Sequence, residues 1–388
     1  MSATTDPKID DVLQEAVSSG AVPNVIAMAA DRDGVVFEGA AGPRSVDADD
    51  PVTPDTMLRI ASMTKMVATV AALQQVERGN LSLDAPVADY LPEFADLQVL
   101  EGFDGDTPKL RPPSAQASVK HLVTHTSGLA YWFFNPDILR WEEVTGTPNV
   151  MSGSNRIFTA PLVADPGTKY EYGINIDWLG RVVEAASGES LDAYMQREIL
   201  GPLGMMSTTF AMSDEQRAGS VPIHVRGDDG SWQATDIDWS QQPDWWAGGH
   251  GLYSTPRDYL AFQRMLLGRG SLGDAKILEP ETVDAAFTNQ IGDIDFPPAI
   301  STADPASTHD FNGGPGLKWG YGLLLNENAQ PGMRAAGSGA WAGLFNTHFW
   351  VDPSNGITGA IYTQTLPFVE PRVFQVYMDF ERALYGSR

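Results

Sequence analysis

Along the chain, Ile9, Val12, Leu13, Ala16 and Val17 recur at three- and four-residue spacing, which predicts a helix over residues 6–19 closed by Gly20. Two short apolar runs, Asn24 to Ala30 and Val35 to Ala40, flank Asp31-Arg32-Asp33-Gly34, an Asp-Gly turn that predicts a β-hairpin. The helical period returns between Arg59 and Gly79, where Met63, Met66, Val67, Val70, Ala71, Leu73 and Val76 predict a helix with one buried stripe. Asn80 to Pro92 reads as a capped turn and a short helix. Glu101 to Ser118, rich in Gly, Pro and Asp, reads as a surface loop.

Further on, residues 176–186 are helical up to Gly188, Ala247 to Thr255 is a glycine-rich turn, and Pro256 to Leu267 is helical again. Gly320 to Leu325, Phe345 to Val351 and Gly356 to Thr363 are strand-like runs separated by turn residues, and Arg372 to Tyr385 is a closing helix. Strands near both ends with helices and loops between them predict an α/β lobe built from residues 1–85 and 250–388. A mainly helical lobe, 86–249, is inserted, with the active site between the two. There is no internal repeat and no Gly-x-Ser-x-Gly elbow.

Composition narrows the function class. The 388 residues carry 25 basic and 50 acidic side chains, a net charge of −25, which argues against nucleic acid and anionic membranes as partners. With no Cys, disulfides and thiol catalysis are excluded, and a reducing compartment is allowed. The N-terminus lacks a basic segment followed by an apolar one, and no apolar run reaches membrane-spanning length, so the expected location is cytoplasmic.

The chemistry centres on Ser62 and Lys65, three residues apart on the predicted helix and so on nearly the same face. A serine hydroxyl needs a neighbouring base, and a lysine serves only where burial lowers its pKa. At a helix start, unpaired N–H groups and the positive dipole end favour an oxyanion. His121 and His125 have the spacing of a metal pair, but Thr126-Ser127-Gly128 ends the helix at once and no third ligand follows, so they read as structural and no metal is expected. Tyr131-Trp-Phe-Phe134 is an aromatic cluster suited to a core or to an apolar pocket.

Three motifs in order resemble the serine hydrolases of the β-lactamase and penicillin-binding-protein fold. They are Ser62-Met-Thr-Lys65, Tyr172-Gly-Ile174 in place of Tyr-x-Asn, and Trp341-Ala-Gly343 in place of Lys-Thr-Gly. Lys120 to Leu129, Pro166-Gly-Thr168, Gly248 to Leu252 and Phe349 to Pro353 also look like that family. The Trp-Ala-Gly form is most similar to the family VIII carboxylesterases, close in fold to class C β-lactamases. The resemblance implies an antiparallel sheet flanked by helices, acylation of Ser62, proton transfer shared by Lys65 and Tyr172, and an oxyanion hole of the Ser62 and Leu344 N–H groups. A phenol titrates near 10, so Tyr172 acts as a base at neutral pH only if a cation such as Lys65 stabilises its phenolate.

Ile174 and Trp341 stand where penicillin-recognising relatives place an amide and a cation. Their loss favours an uncharged ester over an anionic acylamino substrate, with Asn175 a partial replacement for the amide. The expected activity is hydrolysis of small or short-chain acyl esters through a serine acyl-enzyme, with no cofactor. Trp341, Ala342, Gly343, Ile174, Asn175, Tyr131, Trp132 and Trp246 are the expected substrate contacts. Acyl transfer to an alcohol, amidase, D-aminopeptidase or weak β-lactamase activity, and a non-turning acylated sensor are the alternatives. The oligomeric state is left open.

Overall fold

The computed structural model describes residues 6–387. The segment 1–5, part of the stretch searched for a leader peptide, lies outside the described residues. The fold is built on one antiparallel seven-stranded sheet with helices on both faces.

The predicted hairpin forms strands β1 (Val25–Asp31) and β2 (Val35–Ala41). It joins five strands from the C-terminal part: β3 (Leu317–Trp319), β4 (Leu324–Asn326), β5 (Gly339–Gly343), β6 (Thr347–Asp352) and β7 (Ile357–Tyr362). Their order across the sheet is β3-β4-β5-β6-β7-β1-β2. Strands β1, β6 and β7 are buried at nearly every position, as strands covered on both faces must be.

One face is covered by α1 (Pro7–Ser18) and the C-terminal helix (Pro371–Gly386), through Ile9, Leu13, Phe37, Trp350, Val373 and Phe380. The other face meets α2 (Thr64–Glu77) and the helix Pro256–Leu267. The start of α1 is fixed by Asp6, whose carboxylate accepts the Lys8 N–H at 2.9 Å.

Three expectations change. Helix α2 is buried from Thr64 to Gln75 on every side, not along one stripe, because it runs through the middle of the molecule between the sheet and the helix Asn175–Ser187. The expected loop 101–118 contains a hairpin, Val99–Asp104 with Thr107–Arg111, turned at Gly105 with φ +59°. Pro108 is compatible with this because a two-stranded ribbon leaves one edge of each strand unpaired. The run 320–325 is mostly a turn through Gly322, with strands on either side of it. Strand β5 had no separate signal, since Gly-Ala-Trp-Ala-Gly carries little of the β-branched pattern that marks strands.

Candidate active site

Ser62 lies in a single 3₁₀ turn, Ala61–Met63, that feeds directly into α2. Ala61 before it has φ +44°, a left-handed conformation strained for a residue with a Cβ. This turn is pressed against strand β5: a Cβ on Gly343 would lie 2.4 Å from the Ile60 carbonyl and 2.3 Å from Thr347 Oγ1. Gly343 is therefore a packing requirement that lets the strand approach the serine turn, and it lines none of the spaces around Ser62.

Lys65, the second residue of α2, is fully buried, and its Nζ donates to Ser62 Oγ at 3.1 Å, to Tyr131 Oη at 3.0 Å and to the Gly249 carbonyl at 2.7 Å. Burial pushes its pKa down to about 7, against the opposing pull of the Asp177 carboxylate. Nζ also sits 4.8 Å from the centre of the Tyr172 ring and 5.0 Å from that of Tyr131. Burial drives the Tyr172 phenol above its ordinary value, while hydrogen bonds with Ser62 and Trp341 oppose the rise. Burial thus works against the Lys65 cation and the Tyr172 phenolate alike.

Tyr131 and Tyr172 come from separate loops joined by the Tyr131 N–H to Tyr172 carbonyl bond at 3.1 Å. Gly173 makes that approach possible, since its Cβ would lie 2.4 Å from the Leu129 carbonyl. Trp341 Nε1 donates to Tyr172 Oη at 3.1 Å, so the one polar atom of that indole is directed at the tyrosine.

Two open spaces flank Ser62, and Leu344 borders both. One, of about 400 Å³, is lined by Tyr172, Phe133, Phe134, Phe311, Trp341 and Ala342, among others. The second, about 330 Å³, is lined by Tyr131, Trp132, Met151, Trp239, His250 and Phe345, among others.

Of the expected substrate contacts, Tyr131, Trp132, Trp341 and Ala342 thus border the spaces beside Ser62, and Gly343, Asn175, Ile174 and Trp246 do not. Asn175 is fully buried; its amide donates to the Leu129 and Glu171 carbonyls at 3.1 and 3.2 Å and its oxygen accepts from Ser127, so it is held inside the protein and lines neither space beside Ser62. Ile174 lines a cavity behind Tyr131 that Ser62 does not reach. Trp246 lines an aromatic space that adjoins the 330 Å³ one through Met151, Trp239 and His250 but does not reach Ser62.

Residues that the motifs did not flag complete the site. Asp177 Oδ1 accepts the Gly249 N–H at 2.8 Å and Oδ2 accepts the Tyr131 hydroxyl at 3.3 Å, and burial raises its pKa. Its signal in the sequence was an acid in the first turn of an apolar helix, five residues after Tyr172. His125 packs against the Tyr172 ring at 4.9 Å and is held neutral by burial. It lies beyond the helix Val119–Val123, so it does not share a helix face with His121. Among the described residues no three His, Asp or Glu side chains are arranged to hold a metal ion, and no helix is long and apolar enough to cross a membrane.

The Beta-lactamase family model matches residues 9–381. The monacolin J acid methylbutanoyltransferase of Aspergillus terreus is 31% identical, covering 100% of this chain and 97% of that protein. The lovastatin esterase of Penicillium rubens is 32% identical over 90% of this chain and 91% of its own length. Among solved structures, simvastatin synthase (LovD) from Aspergillus terreus, in its LovD6 mutant, superposes with a TM-score of 0.84 at 30% identity, covering 98% of this chain and 94% of that one. EstCE1, a hydrolase with promiscuous acyltransferase activity, has a TM-score of 0.79 at 22% identity, with 98% of each chain covered, a likeness of fold alone.

Proposed function

Because the chain belongs to the Beta-lactamase family, we propose that it is a carboxylic-ester hydrolase in which Ser62 is acylated by small-acyl esters and Lys65 takes the serine proton. The observation that carries this reading is the buried Lys65 Nζ, 3.1 Å from Ser62 Oγ and poised to be neutral near pH 7.

As Oγ bonds to the acyl carbon, its proton passes to Lys65 and the carbonyl electron pair moves onto oxygen. The Ser62 and Leu344 backbone N–H groups receive that oxyanion, each worth roughly 10²–10³ in rate. Collapse breaks the bond to the leaving oxygen, which takes a proton from Lys65 relayed through Tyr172. Water then adds to the acyl carbon and gives one proton to the Tyr172–Lys65 pair; the bond from the acyl carbon to Oγ breaks, Oγ takes that proton, and the free acid leaves.

The relay assigns the two spaces. A leaving alcohol must lie beside Tyr172, which borders the 400 Å³ space and not the 330 Å³ one. The acyl group then occupies the smaller aromatic space. The alcohol side shares Phe311, Trp341, Ala342 and Phe368 with a further 820 Å³ of open volume beside the C-terminal helix.

That room supports a second reading, transfer of the acyl group to a bulky apolar alcohol in place of water. The names of the relatives support both, one a methylbutanoyltransferase and another an esterase. Ester turnover in water with and without a competing alcohol tests them. Free acid as the sole product means hydrolysis, a new ester that dominates at low alcohol concentration means transfer, and release limited to one equivalent means a sensor and ends the proposal.

A further inference from the structure

The motifs account for Ser62, Lys65 and Tyr172 but leave a buried acid beside them without a role. Asp177 is fully buried in the first turn of the helix Asn175–Ser187, and a carboxylate taken out of water is costly unless it is paired. A neutral amide oxygen would satisfy the Gly249 N–H equally well. The fold alone therefore gives no reason for a charge at this position, whereas the site does.

The Gly249 peptide donates its N–H to Asp177 Oδ1 and accepts Lys65 Nζ on its carbonyl, joining acid and amine through one rigid unit. The Tyr131 hydroxyl is a second bridge, with Asp177 Oδ2 on one side and Lys65 Nζ on the other. A Cβ on Gly249 would lie 2.5 and 2.6 Å from the carboxylate oxygens, so only glycine allows this approach. The titratable groups facing Asp177 are Lys65 from α2, Tyr131 and Tyr172 from their loops, and His250, whose Nδ1 is 3.8 Å from Oδ1. Burial lowers the His250 pKa to about 3, so it carries no charge that could pair with the acid. Lys65 is left as the only cation.

We propose that Asp177 is a positioning residue for the reaction: through the Tyr131 hydroxyl and the Gly249 peptide it holds the Lys65 amine against Ser62 and sets the charge that amine carries. This rests on the reading of Lys65 as the base. Its sign follows from electrostatics, since a neighbouring negative charge favours the protonated amine. Removing that charge makes Lys65 easier to deprotonate.

The test is the pH dependence of kcat/KM for a neutral small-acyl ester in Asp177→Asn, Asp177→Glu and Tyr131→Phe, each made in the full chain. Asp177→Asn is expected to move the ascending limb down by about one pH unit and to lower the plateau about tenfold, because the amine is both less charged and less well held. Asp177→Glu, which keeps the charge, is expected to return the limb to its wild-type position. A limb that stays in place or moves up in Asp177→Asn overturns the proposal. Should that variant fail to fold, Tyr131→Phe decides: it leaves both charges in place, is expected to lower the plateau about tenfold, and overturns the proposal if its plateau matches wild type. Labelling of wild-type Ser62 by a fluorophosphonate tests the underlying reading separately.

Discussion

Trp341 Nε1 donates a hydrogen bond to Tyr172 Oη at 3.1 Å, with the two rings edge to face and their centres 5.0 Å apart. Where penicillin-recognising relatives offer a cation to the substrate, this chain directs a neutral donor at its own tyrosine. That bond favours the phenolate, opposing the burial that keeps the phenol protonated.

Trp341→Phe keeps the aromatic surface and removes only the donor. One lost hydrogen bond of about 1.4 kcal/mol to the relay predicts roughly a tenfold fall in kcat with KM little changed. Steady-state kinetics on a neutral ester check this. A rise in KM at constant kcat would assign Trp341 to substrate binding alone.

As the proposed base, Lys65 works as the neutral amine, and burial lowers its pKa from 10.5 to about 7. Activity should therefore rise with pH and level off above about 7, falling about tenfold per unit below it. A limb centred near 10 would mean that Lys65 is not desolvated as described and would remove it as the base.

Gly343→Ala tests how the serine turn is held. The added Cβ would meet the Ile60 carbonyl and Thr347 Oγ1 well inside contact distance, which forces β5 away from the turn. The expected loss in kcat/KM is about 100-fold, because displacement by an ångström is enough to misplace the oxyanion donors. Wild-type activity in this variant would show that the strand and the turn are not coupled.

Much of this was legible in the residues. Ser62 and Lys65 could be paired because helix geometry fixes the relation of residues three apart. The hairpin at Asp31 to Gly34 and the helix from Pro256 could be placed because turn and cap chemistry is local. The role of Tyr131 was not legible, because its contact with Lys65 closes across 66 positions and nothing local marks it. Asn175 was misread for the same reason: its partners Ser127 and Leu129 arrive on a distant loop and hold its amide inside the protein. Burial of α2 on every face follows from what surrounds it, which a helical period cannot show.

On the proposed mechanism Ser62 is the one nucleophile, made reactive by Lys65. Intact-mass spectrometry after treatment with a fluorophosphonate, followed by peptide mapping, decides this. A single adduct per chain on Ser62 is expected, with loss of activity in step with labelling and neither adduct nor activity in Ser62→Ala. An adduct on another residue, or turnover that survives Ser62→Ala, would contradict it.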